Sequence, residues 1–153
     1  MNAKGAGIEA GQASGMTPDP TTIRHAPDAA ALAALAQRAI AAMPPLFRTH
    51  LEGIAVRIEE FADETILADL GIADPWELSG LYEGRPLTEQ SLWDAGELAP
   101  TIRLFRRPLL DEWVETGVAL EDLITHVIVH EVGHHFGFSD DDMEAIERDG
   151  GER

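Results

Sequence analysis

His126-Val-Ile-Val-His-Glu-Val-Gly-His-His-Phe-Gly-Phe-Ser-Asp140 is the stretch on which the reading of this chain turns. Within it His130, Glu131 and His134 form an H-E-x-x-H pattern, and Gly137 and Asp140 extend it to H-E-x-x-H-x-x-G-x-x-D. An α-helix turns about 100° per residue, so His130 and His134 lie about 40° apart on one face, one turn apart along the axis. Two imidazoles so placed can share one cation, and Zn²⁺ takes nitrogen ligands at about 2.0–2.1 Å. Glu131 lies about 60° round from His134, close enough to hold a water beside that cation without itself being a ligand. Gly137 can take a positive φ at no steric cost, so the helix can stop there and the chain fold back. Asp140 then becomes available as a third ligand. Three protein ligands and one open position are the mark of a catalytic rather than a structural zinc site.

The surroundings of the motif agree. Leu120, Leu123, Ile124, Val127, Ile128 and Val132 make the preceding turns apolar around most of the circumference, which predicts a helix buried in a domain and starting near Leu120. Histidines and a glutamate on so apolar a helix are costly to bury without partners, which weighs against a purely structural helix satisfied by carbonyls and water. His135 points about 100° away from His134 and is a poor co-ligand. His126, one turn before His130, can line a cleft or support a ligand from behind. Asp140 has a second reading as the N-cap of a final helix over Asp141–Glu147. Ser139 can take the cap instead and free Asp140 for the metal, and Asp141 is the alternative ligand if the turn is shifted by one residue.

The run His130-Glu-Val-Gly-His-His-Phe-Gly137 resembles a small bacterial metallopeptidase family with a minimal zincin fold. The resemblance continues upstream through Gly80-Leu-Tyr-Glu-Gly84 and Pro100-Thr-Ile-Arg-Leu-Phe105, and spans roughly Asp28 to Glu147. It implies a compact sheet of a few strands, an active-site helix packed on it, and zinc peptidase activity. Metzincins carry His where Asp140 stands, and Asp there is similar to the snapalysin-type variant. Metzincins also have a Met-turn well downstream, whereas Met143 follows Asp140 almost directly.

At 153 residues the chain is one domain with a single core. It has no cysteine, which excludes disulfides and thiolate metal sites and leaves His and carboxylate as the strong zinc ligands. A net charge of −17 excludes nucleic-acid phosphates and anionic membrane surfaces as partners, since both would be repelled. It mildly favours cationic partners beside its plain effect on solubility. Residues 1–27 lack the apolar core of a signal peptide, and no stretch is long and apolar enough to span a membrane; the expected compartment is the cytoplasm.

Outward from the motif the chain reads as α+β: a small mixed sheet with an N-terminal helix and the buried active-site helix, a minimal zincin-like domain over 28–153. Residues 1–27, rich in Gly, Ala, Thr and Pro, read as a flexible extension, with His25 unrelated to any metal. Asp28 caps a helix that carries Leu32, Leu35, Ala36, Ala39, Ile40 and Met43 at helical spacing, and Pro44-Pro45 end it. Leu46–Leu51 suits a further helical turn in which His50 is a surface residue. Ile54, Val56 and Ile58 alternate with Ala55, Arg57 and Glu59, a half-buried strand. Glu64–Leu70 suits a short helix, Gly80–Gly84 a strand, and Thr88–Leu98 a loop with Trp93 as a buried anchor. Thr101–Arg107 is the second clear strand. Its arginines and the flanking Pro100 and Pro108 suggest a sheet edge, where Arg103, Arg106 and Arg107 either touch substrate or form an ordinary charged rim. Trp113, Glu112 and Glu115 belong to the approach to the motif helix.

The expected chemistry is zinc-dependent hydrolysis of a peptide or protein substrate. Zn²⁺ held by His130, His134 and Asp140 activates water, and Glu131 takes the proton and passes it to the leaving amine. Tyr82, Arg103 and His126 are candidates for a second oxyanion donor. The competing class is a non-catalytic zinc-stabilised protein-binding module whose fourth position is closed by another protein group; Asp in place of a third His keeps it open by making zinc a weaker Lewis acid.

Overall fold

The computed structural model describes residues 25–85 and 99–151. The expected extension over 1–27 and the loop bearing Trp93 therefore fall almost wholly outside the described residues. Six α-helices and three strands follow in the order α1 (Ala29–Ala41), α2 (Pro45–Arg48), β1 (Ala55–Glu59), α3 (Glu64–Leu70), β2 (Gly80–Glu83), β3 (Thr101–Phe105), α4 (Arg106–Thr116), α5 (Leu120–His135) and α6 (Asp140–Gly151), with a 3-10 turn over Pro75–Glu77.

Local signals set most of these boundaries. Asp28 caps α1 by accepting from the Ala31 N–H at 2.9 Å, and Asp63 caps α3 the same way from Ile66 at 2.8 Å. Pro44 and Pro45 stop α1 and open α2, because proline lacks the N–H that a helix interior needs. Gly71 and Gly117 end α3 and α4 in the left-handed conformation, at φ 69° and 72°.

The sheet is mixed, in the order β1-β3-β2, with β1 parallel and β2 antiparallel to β3. The register pairs Val56 with Ile102, Ile58 with Leu104, and Tyr82 with Ile102, so these side chains share one face. Against that face lie α1 and α5, which also pack on each other. Leu32 and Ala36 of α1, Ile102 and Leu104 of β3, and Ile124 and Ile128 of α5 are wholly buried there. Alanine at 36 and 39 lets α1 approach α5 closely. Burial of this apolar stripe, more than helix propensity, holds α5 in place.

The opposite face carries charge. Arg103 reaches Glu59 of β1 at 2.8 Å and Glu83 of β2 at 3.1 Å, while Glu60 takes Arg106 and Arg107 at 3.1 and 3.0 Å. Arg103 Nε lies near Glu83 in charge but is not aligned for a hydrogen bond.

Here the structure corrects the sequence reading. The Thr101–Arg107 strand is not an edge: β3 is the central strand, and it ends at Phe105. Arg106 and Arg107 open α4, with Pro108 in its first turn, where a missing N–H costs nothing. Arg103 and Arg106 pair with carboxylates and are largely covered, while Arg107 pairs with Glu60 and stays more than half exposed. The edge beside α5 is β2.

Candidate metal and active site

The long helix α5 positions the motif from below. His130 and His134 stand side by side with ring centroids 4.9 Å apart, while Glu131, one position further round, is buried at 7% exposure. Edge strand β2 lies across this part of α5. A Cβ on Gly80 would fall 2.6 Å from Val127 and 3.6 Å from Glu131, so glycine is what lets strand and helix meet so closely. The Tyr82 backbone N–H donates to the Glu131 carboxylate. Burial pushes the Glu131 carboxyl above its ordinary value, against the pull of His134, His130 and that N–H. A carboxylate held this way is a better proton acceptor than an exposed one.

The turn after α5 does the rest. Gly137 takes φ 91°, the Phe138 N–H returns to the Gly133 carbonyl at 2.9 Å, and the Gly137 N–H returns to His134 at 3.0 Å. That pair of bonds is a Schellman closure, and it fixes where the chain leaves the helix. Ser139 then caps α6 reciprocally. Its Oγ accepts from the Asp142 N–H at 3.2 Å, and its own N–H donates to the Asp142 carboxylate at 2.9 Å. These hydrogen bonds hold the Asp142 carboxyl below its usual range. With the cap so occupied, Asp140 is not needed for it.

Asp140 turns back over α5 instead. Its Oδ1 lies 3.1 Å from His130 Nε2 and 3.0 Å from His134 Nε2, and the three side chains form a group able to hold a metal ion. Tetrahedral ligands about 2.0–2.1 Å from zinc sit roughly 3.3 Å from one another, close to the separations seen. The proton arrangement carries more weight. His134 Nδ1 lies 2.8 Å from the Phe138 carbonyl, which can only accept, so Nδ1 bears a proton. In the neutral ring Nε2 then presents a lone pair to a carboxylate oxygen at 3.0 Å. Two acceptors in contact need a cation between them, a metal ion or a second proton on the ring. The carbonyl behind Nδ1 is also the support a metal-bound imidazole usually has.

Met143 sits under this arrangement. It is buried, and a Cβ on Gly133 would collide with its sulfur. Glycine at the second variable position of the motif therefore lets α6 seat against α5, bringing Asp140 with it. Gly137 is legible from sequence as a helix stop, whereas Gly133 has no visible task there, because its contact is with another helix.

The remaining candidates fall elsewhere. His135 is buried with burial lowering its pKa, and its ring bridges Tyr82 Oη at 2.7 Å and the His50 carbonyl at 3.1 Å. The carbonyl fixes the proton on Nε2, so Nδ1 accepts from Tyr82. Tyr82 thus turns its hydroxyl toward His135, and Arg103 is tied to Glu59 and Glu83; neither stands at the motif as an oxyanion donor. His126 lines the cleft beside His130 and Glu131. His50 is exposed at the surface.

Fold and site together define a class of protein: a small α+β domain whose buried helix presents two histidines and a glutamate beside an aspartate from the following turn, the arrangement of a zincin-like domain. The chain belongs to the zincin-like metallopeptidase family, whose profile matches residues 51–150. No curated protein matches the chain. The family implies a metal, typically zinc, and peptidase chemistry in general terms. None of the described helices is long and apolar enough to cross a membrane.

Proposed function

We propose that this chain is a zinc-dependent peptidase in which His130, His134 and Asp140 hold Zn²⁺ and Glu131 is the general base. The observation that carries the reading is the meeting of His134 Nε2 and Asp140 Oδ1 at 3.0 Å while His134 Nδ1 is committed to the Phe138 carbonyl. When bound, the metal supplies Lewis acidity, making a water more acidic and polarising a carbonyl. Glu131, buried and raised in pKa, accepts the water proton and returns it to the leaving amine. The Tyr82 N–H orients that carboxylate, and β2, the edge strand over α5, is the element beside which a peptide backbone would lie.

Two features favour the peptidase over a closed, zinc-stabilised binding module. Among the described residues no fourth His, Asp or Glu joins the group, and the Asp140 side chain is 82% exposed, so the group opens to solvent on one side. Metal content of the purified protein, with hydrolysis of a mixed peptide library, tests the reading. One zinc per chain, lost in His130→Ala and weakened in Asp140→Ala, with hydrolysis abolished in Glu131→Gln, is the expected result. Hydrolysis by Glu131→Gln at the wild-type rate would refute the assignment of the base, and full zinc binding without hydrolysis of any peptide would return the binding module.

A further inference from the structure

His135 is buried at 1% exposure beside the proposed metal ligand His134, yet the proposed chemistry gives it no task. A leucine or phenylalanine would fill such a place without two ring nitrogens to satisfy. What the imidazole offers instead is a pair of directed bonds. Its Nε2 donates to the His50 carbonyl at 3.1 Å, in the chain after α2, and its Nδ1 accepts from Tyr82 Oη at 2.7 Å. The Arg85 carbonyl, 3.1 Å from the same hydroxyl, is the more distant competitor for its proton.

Tyr82 meets α5 twice. Its hydroxyl reaches His135 and its backbone N–H reaches Glu131, and these two helix residues are four apart, one above the other on one face. The N–H is available to Glu131 because of the ladder. The Ser79 carbonyl accepts from the Phe105 N–H at 3.0 Å, so in the antiparallel pairing with β3 Leu81 turns its backbone groups inward and Tyr82 turns its own outward. The sheet's own hydrogen bonds therefore do not set how the Tyr82 N–H stands to Glu131. Contact with α5 sets it, through the close approach at Gly80 at one end of β2 and the Tyr82 hydroxyl on His135 at the other.

Resting on the reading of Glu131 as the general base, we propose that His135 is a positioning residue for the reaction. Through the Tyr82 hydroxyl it holds the edge strand where the Tyr82 N–H fixes the Glu131 carboxylate beside His130 and His134. It acts through Tyr82 and touches none of the reacting groups. A carboxylate turned away from its water transfers the proton more slowly, whereas binding of substrate and metal by other groups is unaffected.

Two substitutions divide the two bonds of the ring. In His135→Asn the amide oxygen stands where Nδ1 stood and accepts from Tyr82, while the reach to His50 is lost. In His135→Gln the amide nitrogen stands where Nε2 stood and donates to His50, while Tyr82 loses its acceptor. Amide hydrogen exchange of the zinc-supplied protein, followed by NMR, reads the hold on the Tyr82 N–H without turnover. Exchange at Tyr82 should be about tenfold faster in His135→Gln and in Tyr82→Phe and near wild type in His135→Asn, with the amides between β1 and β3 unchanged. In peptide hydrolysis the first two variants should lose about tenfold in kcat at constant KM and zinc content, and His135→Asn should keep kcat. Adding His135→Gln to Tyr82→Phe should bring no further loss. If His135→Gln fails to fold, Tyr82→Phe carries the same readouts. Unchanged exchange at Tyr82, equal losses in the Asn and Gln variants, or additive losses in the double variant overturn the proposal. The two readings fail separately. The expected exchange pattern without hydrolysis of any peptide leaves His135 holding Glu131 and removes the peptidase, whereas hydrolysis with wild-type kcat in His135→Gln and Tyr82→Phe does the reverse.

Discussion

Two regions of this molecule are rich in charge, and they differ in whether the charges balance. On the far side of the sheet and at the start of α4, Arg103, Arg106 and Arg107 meet Glu59, Glu60 and Glu83. That region is complete with its own residues. Across the sheet, Glu131 and Asp140 lie beside two imidazoles, and the His134 lone pair confronts an Asp140 carboxylate oxygen. There a metal ion or a second ring proton has to lie between the two acceptors. A cluster that balances itself is architecture, whereas one left unbalanced on a buried apolar helix points to a ligand.

The strongest way to break the contrast is to neutralise Glu131, the proposed general base. Glu131→Gln should keep zinc and lower peptide hydrolysis by about 10²–10⁴-fold, the usual reach of general-base catalysis, measured as kcat with metal content as the control. Adding zinc should come next in size. At zinc about 1,000-fold above its Kd, stability should rise by about 4 kcal/mol, seen as an increase in Tm. Asp140→Ala should lose most of that increase, and an equal rise in the variant would show that the metal sits elsewhere.

Gly133→Ala tests how the unbalanced region is assembled. The added methyl must displace Met143, at a cost of about 1–3 kcal/mol, and with it the α6 turn that carries Asp140. Zinc affinity should fall and be partly restored by Met143→Ala; an unchanged Kd in Gly133→Ala would mean that α6 does not set the position of Asp140. Tyr82→Phe removes the hydroxyl from His135 and should cost about 1 kcal/mol in denaturant unfolding, with little effect on zinc.

The smallest effect belongs to the balanced region. Partial desolvation pushes the Glu60 carboxyl up, but hydrogen bonds and charge from Arg107 and Arg106 outweigh it and hold the pKa below its ordinary value. A carboxyl lowered by folding stabilises above its unfolded pKa of 4.5, and that contribution is lost as pH falls through the folded value. Below pH 4.5, Glu60→Gln should therefore show a shallower loss of stability than wild type; identical acid profiles would mean the pairs contribute nothing.

Much of the site was legible because it is local. The spacing of His130, Glu131 and His134 is helical geometry, and Gly137 as a terminator follows from backbone sterics; both stand in the structure as the residues predict. The α+β class, the capped helix after Asp28 and the half-buried alternation of Ile54, Val56 and Ile58 were legible for the same reason. The helix α4 was readable in principle, from Leu109 and Trp113 one turn apart with Gly117 as a stop, but arginines and prolines beside a strand also describe an edge. Strand order decided between them, and strand order depends on partners far along the chain.

What the sequence by itself determined, then, is the metal-ready helix, its stop and the elements around it, because those rest on short-range periodicity and on the φ that each residue tolerates. Tertiary structure alone decided that β3 is central, that β2 covers Glu131, and that Ser139 rather than Asp140 caps α6. It also decided that Gly133 makes room for Met143 and that Glu77 and Glu112 line one cavity with His130 and Glu131. Each of these is a contact between elements distant in sequence or a choice between competing local partners, settled by packing and hydrogen-bond competition that no single segment encodes.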